Sequence, residues 1–224
     1  MIPDFSPADP FPLLASRERH YSAEKEHARQ VDHWLGLNID EVELSIDDQQ
    51  LAKSAGIQQV WLHLEAQSFL TPYTELREIV ERLQPRPGET FVDLGAGYGR
   101  LAHVLAANFR GVEFVGYEMV LERCLEAERV LKLRGYHQNT MLCQDLSRPD
   151  FQPRAAAFYF IYDYGTTAAI RKTLEDLRLI AQVRSITVVA RGRATRNLID
   201  REQPWLSAVV KPEHYDRYSF YRSS

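Results

Sequence analysis

The sequence predicts an α/β fold in which a doubly wound, mostly parallel sheet carries a helical cap on its N-terminal side. Three observations lead there. From Thr71 onward, apolar β-prone runs alternate with stretches of helical periodicity, the pattern of a parallel sheet covered on both faces. The run Phe91-Val92-Asp93-Leu94-Gly95-Ala96-Gly97-Tyr98-Gly99-Arg100 ends a strand in an acid and three alternating glycines, then opens a helix through Leu101, Val104 and Leu105. Near the end, two runs at 206–211 and 218–222, joined by Pro212-Glu213-His214-Tyr215-Asp216, read as a closing antiparallel pair.

Residues 1–68 read as the helical cap and 69–224 as the sheet domain. In the cap, a helix over 22–35 is stopped by Gly36, and Ser45 with Asp48 forms a variant capping box that opens a segment running to Ala55 and Gly56. Trp34, Leu35, Trp61, Leu62 and Leu64 are expected to pack on the main domain. Thr71 reads as an N-cap with Pro72 at the first helical position; Leu76, Ile79, Val80 and Leu83 form one stripe, and Pro85, Pro87 and Gly88 end it. Strands are expected over 90–95, 113–118, 139–144, 156–162 and 186–191, with helices between them.

Composition bounds the function. With 224 residues, 45% of them hydrophobic, the chain can bury one good core but is too short for two full-sized domains and a linker. The net charge of −4 argues against a broad basic surface, so nucleic-acid binding is not favoured. Cys124 and Cys143 lack paired metal-ligand spacing, and His20, His27, His33 and His63 lack any regular one, so no metal site is expected and a reducing compartment is. No run reaches membrane-spanning length and no export signal is visible, so a cytoplasmic protein is expected.

The chemistry starts at the glycines. A strand-to-helix turn of this kind lets a ligand approach bare backbone, beside the unpaired N–H donors of a helix start. The dinucleotide fingerprint G-x-G-x-x-G does not fit, because Gly99 comes one residue early and Arg100 stands where a glycine belongs. The run instead resembles the first motif of class I S-adenosylmethionine (SAM) methyltransferases, an acid followed by G-x-G-x-G, matched here at Asp93, Gly95, Gly97 and Gly99 with Ala96 between them. SAM sets an ammonium and a sulfonium against one carboxylate, which suits an acid-lined pocket. The resemblance implies a Rossmann-like, seven-stranded sheet and SAM as cofactor. Glu118 ends the next strand 19 residues past Gly99, where it can accept from ribose hydroxyls or cap the following helix. Asp145 ends the third strand, where the resemblance implies a residue near the adenine amino group and where an Asp is also an ordinary turn residue.

The fourth strand delivers Ile161-Tyr162-Asp163-Tyr164-Gly165 to the same edge. In methyltransferases acting on nitrogen this is where the acceptor is met. No proline follows Asp163, so the Asn/Asp-Pro-Pro-Tyr motif of base and glutamine methyltransferases is absent and base methylation drops in rank. The structural alternative is that Tyr162 packs and Asp163 caps a helix beginning near Thr166. Phe69-Leu70-Thr71-Pro72-Tyr73-Thr74-Glu75 ahead of the glycine turn is similar to non-SET histone-lysine methyltransferases and to the lysine methyltransferases of the ATP synthase c subunit. That similarity implies a loop of Thr71, Tyr73 and Glu75 over the methionine end of SAM, although Thr74 replaces a glycine; the plainer reading is a helix start. It does not imply a histone substrate. The expected reaction is methyl transfer to an amine, a protein lysine, with Tyr73, Tyr162 and Tyr164 lining its channel and Asp163 orienting it. A small-molecule O- or N-methyltransferase and a SAM-binding module without catalysis stand as alternatives.

Overall fold

The computed structural model describes residues 5–15, 20–46 and 65–224. Its centre is a seven-stranded sheet built from β1 (Thr90–Leu94), β2 (Glu113–Glu118), β3 (Asn139–Cys143), β4 (Phe158–Tyr162), β5 (Thr187–Arg191), β6 (Glu213–His214) and β7 (Tyr218–Arg222). The spatial order is β3-β2-β1-β4-β5-β7-β6. The first five strands are parallel, and β7 pairs antiparallel with both β5 and β6. The chain therefore reverses its direction across the sheet between β1 and β4, which opens a crevice at the carboxyl ends of those two strands.

Helices cover both faces. In chain order they are α1 (Tyr21–Leu35), α2 (Ile39–Ser45), α3 (Ala66–Phe69), α4 (Tyr73–Leu83), α5 (Arg100–Asn108), α6 (Leu121–Leu133), α7 (Thr167–Ala181) and α8 (Arg193–Glu202). The two-residue period of the strands sorts their side chains. Phe91, Phe114, Phe160 and Val189 face α1, α4, α5 and α6 in one core, whereas Val92, Val115, Ile161 and Val188 face α7 and α8 in the other. By the same parity Asp93, Glu118, Tyr162 and Arg191 stand on the side of the N-terminal helices. Ala28, Val31 and Leu35 of α1 belong to that first core, so the cap shares its packing with the sheet.

Several local expectations shift. Helix α1 ends as read, in a Schellman turn: Leu37 N–H donates to Asp32 C=O at 2.9 Å and Gly36 N–H to His33 C=O at 3.1 Å. Ser45 is the last residue of α2 and donates its hydroxyl to the Val42 carbonyl; the segment it is expected to open, with Trp61, Leu62, His63 and Leu64, lies outside the described residues. Helix α4 starts at Tyr73 and Pro72 is its N-cap, so Thr71 caps nothing. The stretch 206–211 is not a strand: Pro204–Leu206 is a short 3-10 turn, and β6 forms inside the expected connection, where Glu213 and His214 pair with Phe220 and Ser219. His27 is buried against Phe5, while His20 and His33 are exposed.

Candidate functional site

The glycine turn is built against the end of β2. Gly95 and Ala96 N–H both donate to the Tyr117 carbonyl, at 2.9 and 2.8 Å, and Gly99 enters α5 with a left-handed φ of 69°. A side chain is excluded at Gly95: its φ is 92°, and an added Cβ would lie 2.4 Å from Cβ of Tyr164. The turn and the fourth-strand segment are thus packed directly on one another.

Asp93 and Glu118 flank this turn, and they differ in what they hold. Glu118 Oε2 accepts from Gly97 N–H at 2.8 Å, and its Oε1 accepts from Met119 and Val120 N–H at 2.9 Å each. It organises the turn and holds the backbone just ahead of α6 while still lining the large cavity. Asp93 is buried, faces a smaller cavity and has no hydrogen bond or ion pair among the described residues. Burial, reinforced by the nearby Glu118 charge, pushes its carboxyl up to about 8.

The large cavity, about 230 Å³, lies at the carboxyl edge of the sheet. It brings together Gly95, Gly97, Glu118, Asp145, Tyr162, Asp163 and Tyr164. Asp145 lines it while serving as a turn residue, accepting from Ser147 N–H at 2.9 Å and Ser147 O–H at 2.6 Å. Tyr164 shares a hydrogen bond with Thr173, and burial raises its phenol well above the ordinary range. Tyr162 lies under the Arg191 guanidinium, 3.9 Å from the ring centre. Asp163 is a helix cap, though not of the expected helix. Its carboxylate accepts from Ala194 N–H at 3.2 Å, Thr195 N–H at 2.8 Å and Thr195 O–H at 2.7 Å, all at the start of α8. The helix near Thr166 is capped by Thr166 itself, through Ala169 N–H at 3.2 Å. Gly192 makes the Asp163 contact possible, since an added Cβ would come 2.3 Å from Oδ2.

The smaller cavity brings Thr71, Asp93, Gly95, Ala96 and Tyr162 together with Arg100. Tyr73 and Glu75, expected over the cofactor, are on neither cavity. Tyr73 is fully buried and donates to Asp32 Oδ1 at 2.7 Å. Glu75 is likewise buried; it accepts from Arg191 Nε at 2.7 Å and pairs with Arg217 Nε at 2.9 Å, tying α4 to the ends of β5 and β7. These two residues fix the N-terminal helices to the sheet.

Sequence reasoning missed Arg123, Leu70 and Ser147 on the large cavity. Arg123 stacks on Phe69 at 4.7 Å and forms a two-point ion pair with Glu43, at 2.8 and 2.9 Å. Its partner is 80 positions away in the chain, so no local spacing could have revealed it.

No family model and no curated protein matches the sequence. Solved structures do. An RNA methyltransferase from Salinibacter ruber in complex with S-adenosyl-L-homocysteine aligns over 68% of this chain and 91% of its own, at 18% identity and a TM-score of 0.50. A SAM-dependent O-methyltransferase from Thermotoga maritima aligns over 68% and 65%, at 16% identity and a TM-score of 0.53. The fold is that of the class I methyltransferases. This chain spans 48% of the length of a matching SAM-dependent methyltransferase from Geobacter sulfurreducens, at 20% identity and a TM-score of 0.42. Among the described residues no helix is long and apolar enough to cross a membrane, and no cluster of three or more metal-ligating side chains occurs.

Proposed function

We propose that this chain is a SAM-dependent methyltransferase whose acceptor is an amine, a lysine side chain of a protein. The observation that carries the reading is Asp93, a buried carboxylate without a hydrogen-bond or ion-pair partner among the described residues, beside a glycine turn whose other flank is Glu118. A buried acid is costly to ionise alone, so a cationic ligand is what its position suits. The SAM ammonium meets that need, Glu118 retains acceptor capacity for ribose hydroxyls, and Gly95 and Gly97 let the ligand approach the backbone. The class I fold supports the same reading.

When bound, SAM supplies an electrophilic methyl group on a sulfonium. The chain's own residues exclude water and orient the acceptor. A lysine amine must lose its proton to attack, and its ordinary pKa of about 10.4 falls in an apolar channel. Phe69, Leu70, Tyr162 and Tyr164 on the large cavity provide such walls. Asp163 lines the same cavity, but its carboxylate is engaged by the start of α8, so the amine's proton is assigned to solvent and not to that carboxylate.

The test is equilibrium dialysis with S-adenosylhomocysteine, followed by incubation with methyl-labelled SAM and whole-cell extract. Binding, and label in a discrete protein band that releases methyl-lysine on hydrolysis, is the expected result. Label in small molecules or RNA would replace the acceptor, and binding without transfer would leave a cofactor-binding module. Failure to bind either SAM or its product would overturn the reading.

A further inference from the structure

Tyr162 stands where the two cavities meet. It lines both, together with Phe69, Leu70 and Gly95, whereas Asp93 lines the smaller and Glu118 the larger. Arg191, at the end of β5, lies over the Tyr162 ring with its guanidinium carbon 3.9 Å from the ring centre, and itself lines neither cavity. Arg191 is 3% exposed and is held from the N-terminal helices. Nε donates to Glu75 Oε1 at 2.7 Å, and Nη2 donates to Glu75 Oε2 at 3.4 Å and to the Tyr21 hydroxyl at 3.2 Å. A guanidinium fastened along its edge presents a fixed plane, and a ring stacked on that plane has its own direction fixed.

We propose that Arg191 is a positioning residue for methyl transfer: it holds the Tyr162 ring against the transferable methyl group, and Glu75 and Tyr21 act through it. The inference rests on the SAM reading, in which the ammonium goes to Asp93 and the ribose to Glu118. The sulfonium that joins those two ends then falls at the junction that Tyr162 walls. In-line attack leaves little latitude there, since a misplacement of about 1 Å can cost about a hundredfold in rate. Burial keeps the Tyr162 phenol above its ordinary value and therefore protonated, so the ring serves as a wall and not as a base. Glu75 reaches neither cavity, yet through Arg191 it bears on the reacting centre.

SAM carrying an NMR-active carbon in its methyl group probes the reacting atom directly. Bound to the full chain, its methyl resonance is displaced by any aromatic face beside it. Tyr162→Leu is expected to move that resonance toward its position in free SAM. Arg191→Lys keeps a charge for Glu75 but loses the flat face, and is expected to move the resonance the same way by a smaller amount. Made together, the two changes are expected to give the shift of Tyr162→Leu alone, because Arg191 acts through the ring. With methyl-labelled SAM and whole-cell extract, Arg191→Lys is expected to lower the transfer rate about tenfold to a hundredfold with the KM for SAM held. Should Arg191→Lys fail to fold, Tyr21→Phe removes one bond to Arg191 but keeps the ring under Arg217, 4.6 Å from its guanidinium carbon, and a smaller shift with a several-fold slower rate is expected. An unmoved resonance or an unchanged rate in the folded variant overturns the assignment and leaves the SAM reading standing, as does an Arg191→Lys shift that persists without the Tyr162 ring. Binding without transfer in the unaltered protein overturns it as well, and if that protein does not bind SAM both fall.

Discussion

Asp93 and Asp163 lie at the carboxyl ends of the neighbouring strands β1 and β4, yet among the described residues one stands without a partner and the other is a fastening. Asp93 is buried with no partner among the described residues, and its carboxyl is pushed up to about 8. Asp163 is half-buried and accepts three hydrogen bonds from the start of α8. The contrast shows that an acid at the carboxyl edge of the sheet declares its role by its partners and not by its position. A satisfied carboxylate holds structure together, whereas an unsatisfied buried one costs stability that a bound cation restores.

The largest effect that would break this comparison is expected from Asp93→Asn. Because the Asp93 pKa is raised on folding, the folded chain holds a proton that the unfolded chain releases between about pH 4 and pH 8. Stability contributed by this group therefore falls as pH rises through that window. The Asn variant should be more stable than the unaltered protein above pH 8, by on the order of 5 kcal/mol at most, with the gap closing toward pH 4. Urea denaturation across pH measures it; a gap that does not grow with pH would show that Asp93 is already paired. The same linkage predicts that S-adenosylhomocysteine binds more tightly as pH approaches 8 and releases a proton on binding below it, both readable by calorimetry in buffers of different ionisation heat.

Asp163→Ala comes next. Loss of the cap leaves the Ala194 and Thr195 N–H groups without their carboxylate, and the expected cost is about 2 kcal/mol, seen as a lower Tm. Affinity for S-adenosylhomocysteine should hold. A variant of normal Tm with lost transfer activity would instead restore Asp163 to direct chemistry. The smallest effect sharpens the point: Thr195→Val removes the 2.7 Å hydroxyl bond but keeps the backbone one, and should cost about 1 kcal/mol.

Much of the frame was legible in the chain. The glycine spacing, the β-prone runs at 113–118 and 139–144 and the amphipathic stripe of Leu76, Ile79 and Val80 are local patterns, and each became the expected element. The two-residue β6 was not legible, because a strand that short has no period of its own and exists through pairing with β7. Where Tyr73 and Glu75 bond was hidden for a related reason. Their types suit a cofactor loop, but Asp32, Arg191 and Arg217 had already claimed them from 41, 116 and 142 positions away.

The chain by itself determined which residues turn, which alternate and which acids end strands, since those follow from φ preferences and short-range periodicity. Only the tertiary structure decided which of those acids has no partner among the described residues. That outcome depends on donors carried by distant helices, Arg100 to Asp32 and the start of α8 to Asp163, and the packing of two cores brings them to their partners. Burial then fixes the electrostatics, because a carboxylate that is harmless in water becomes costly to ionise once solvent is removed and no neighbour among the described residues replaces it.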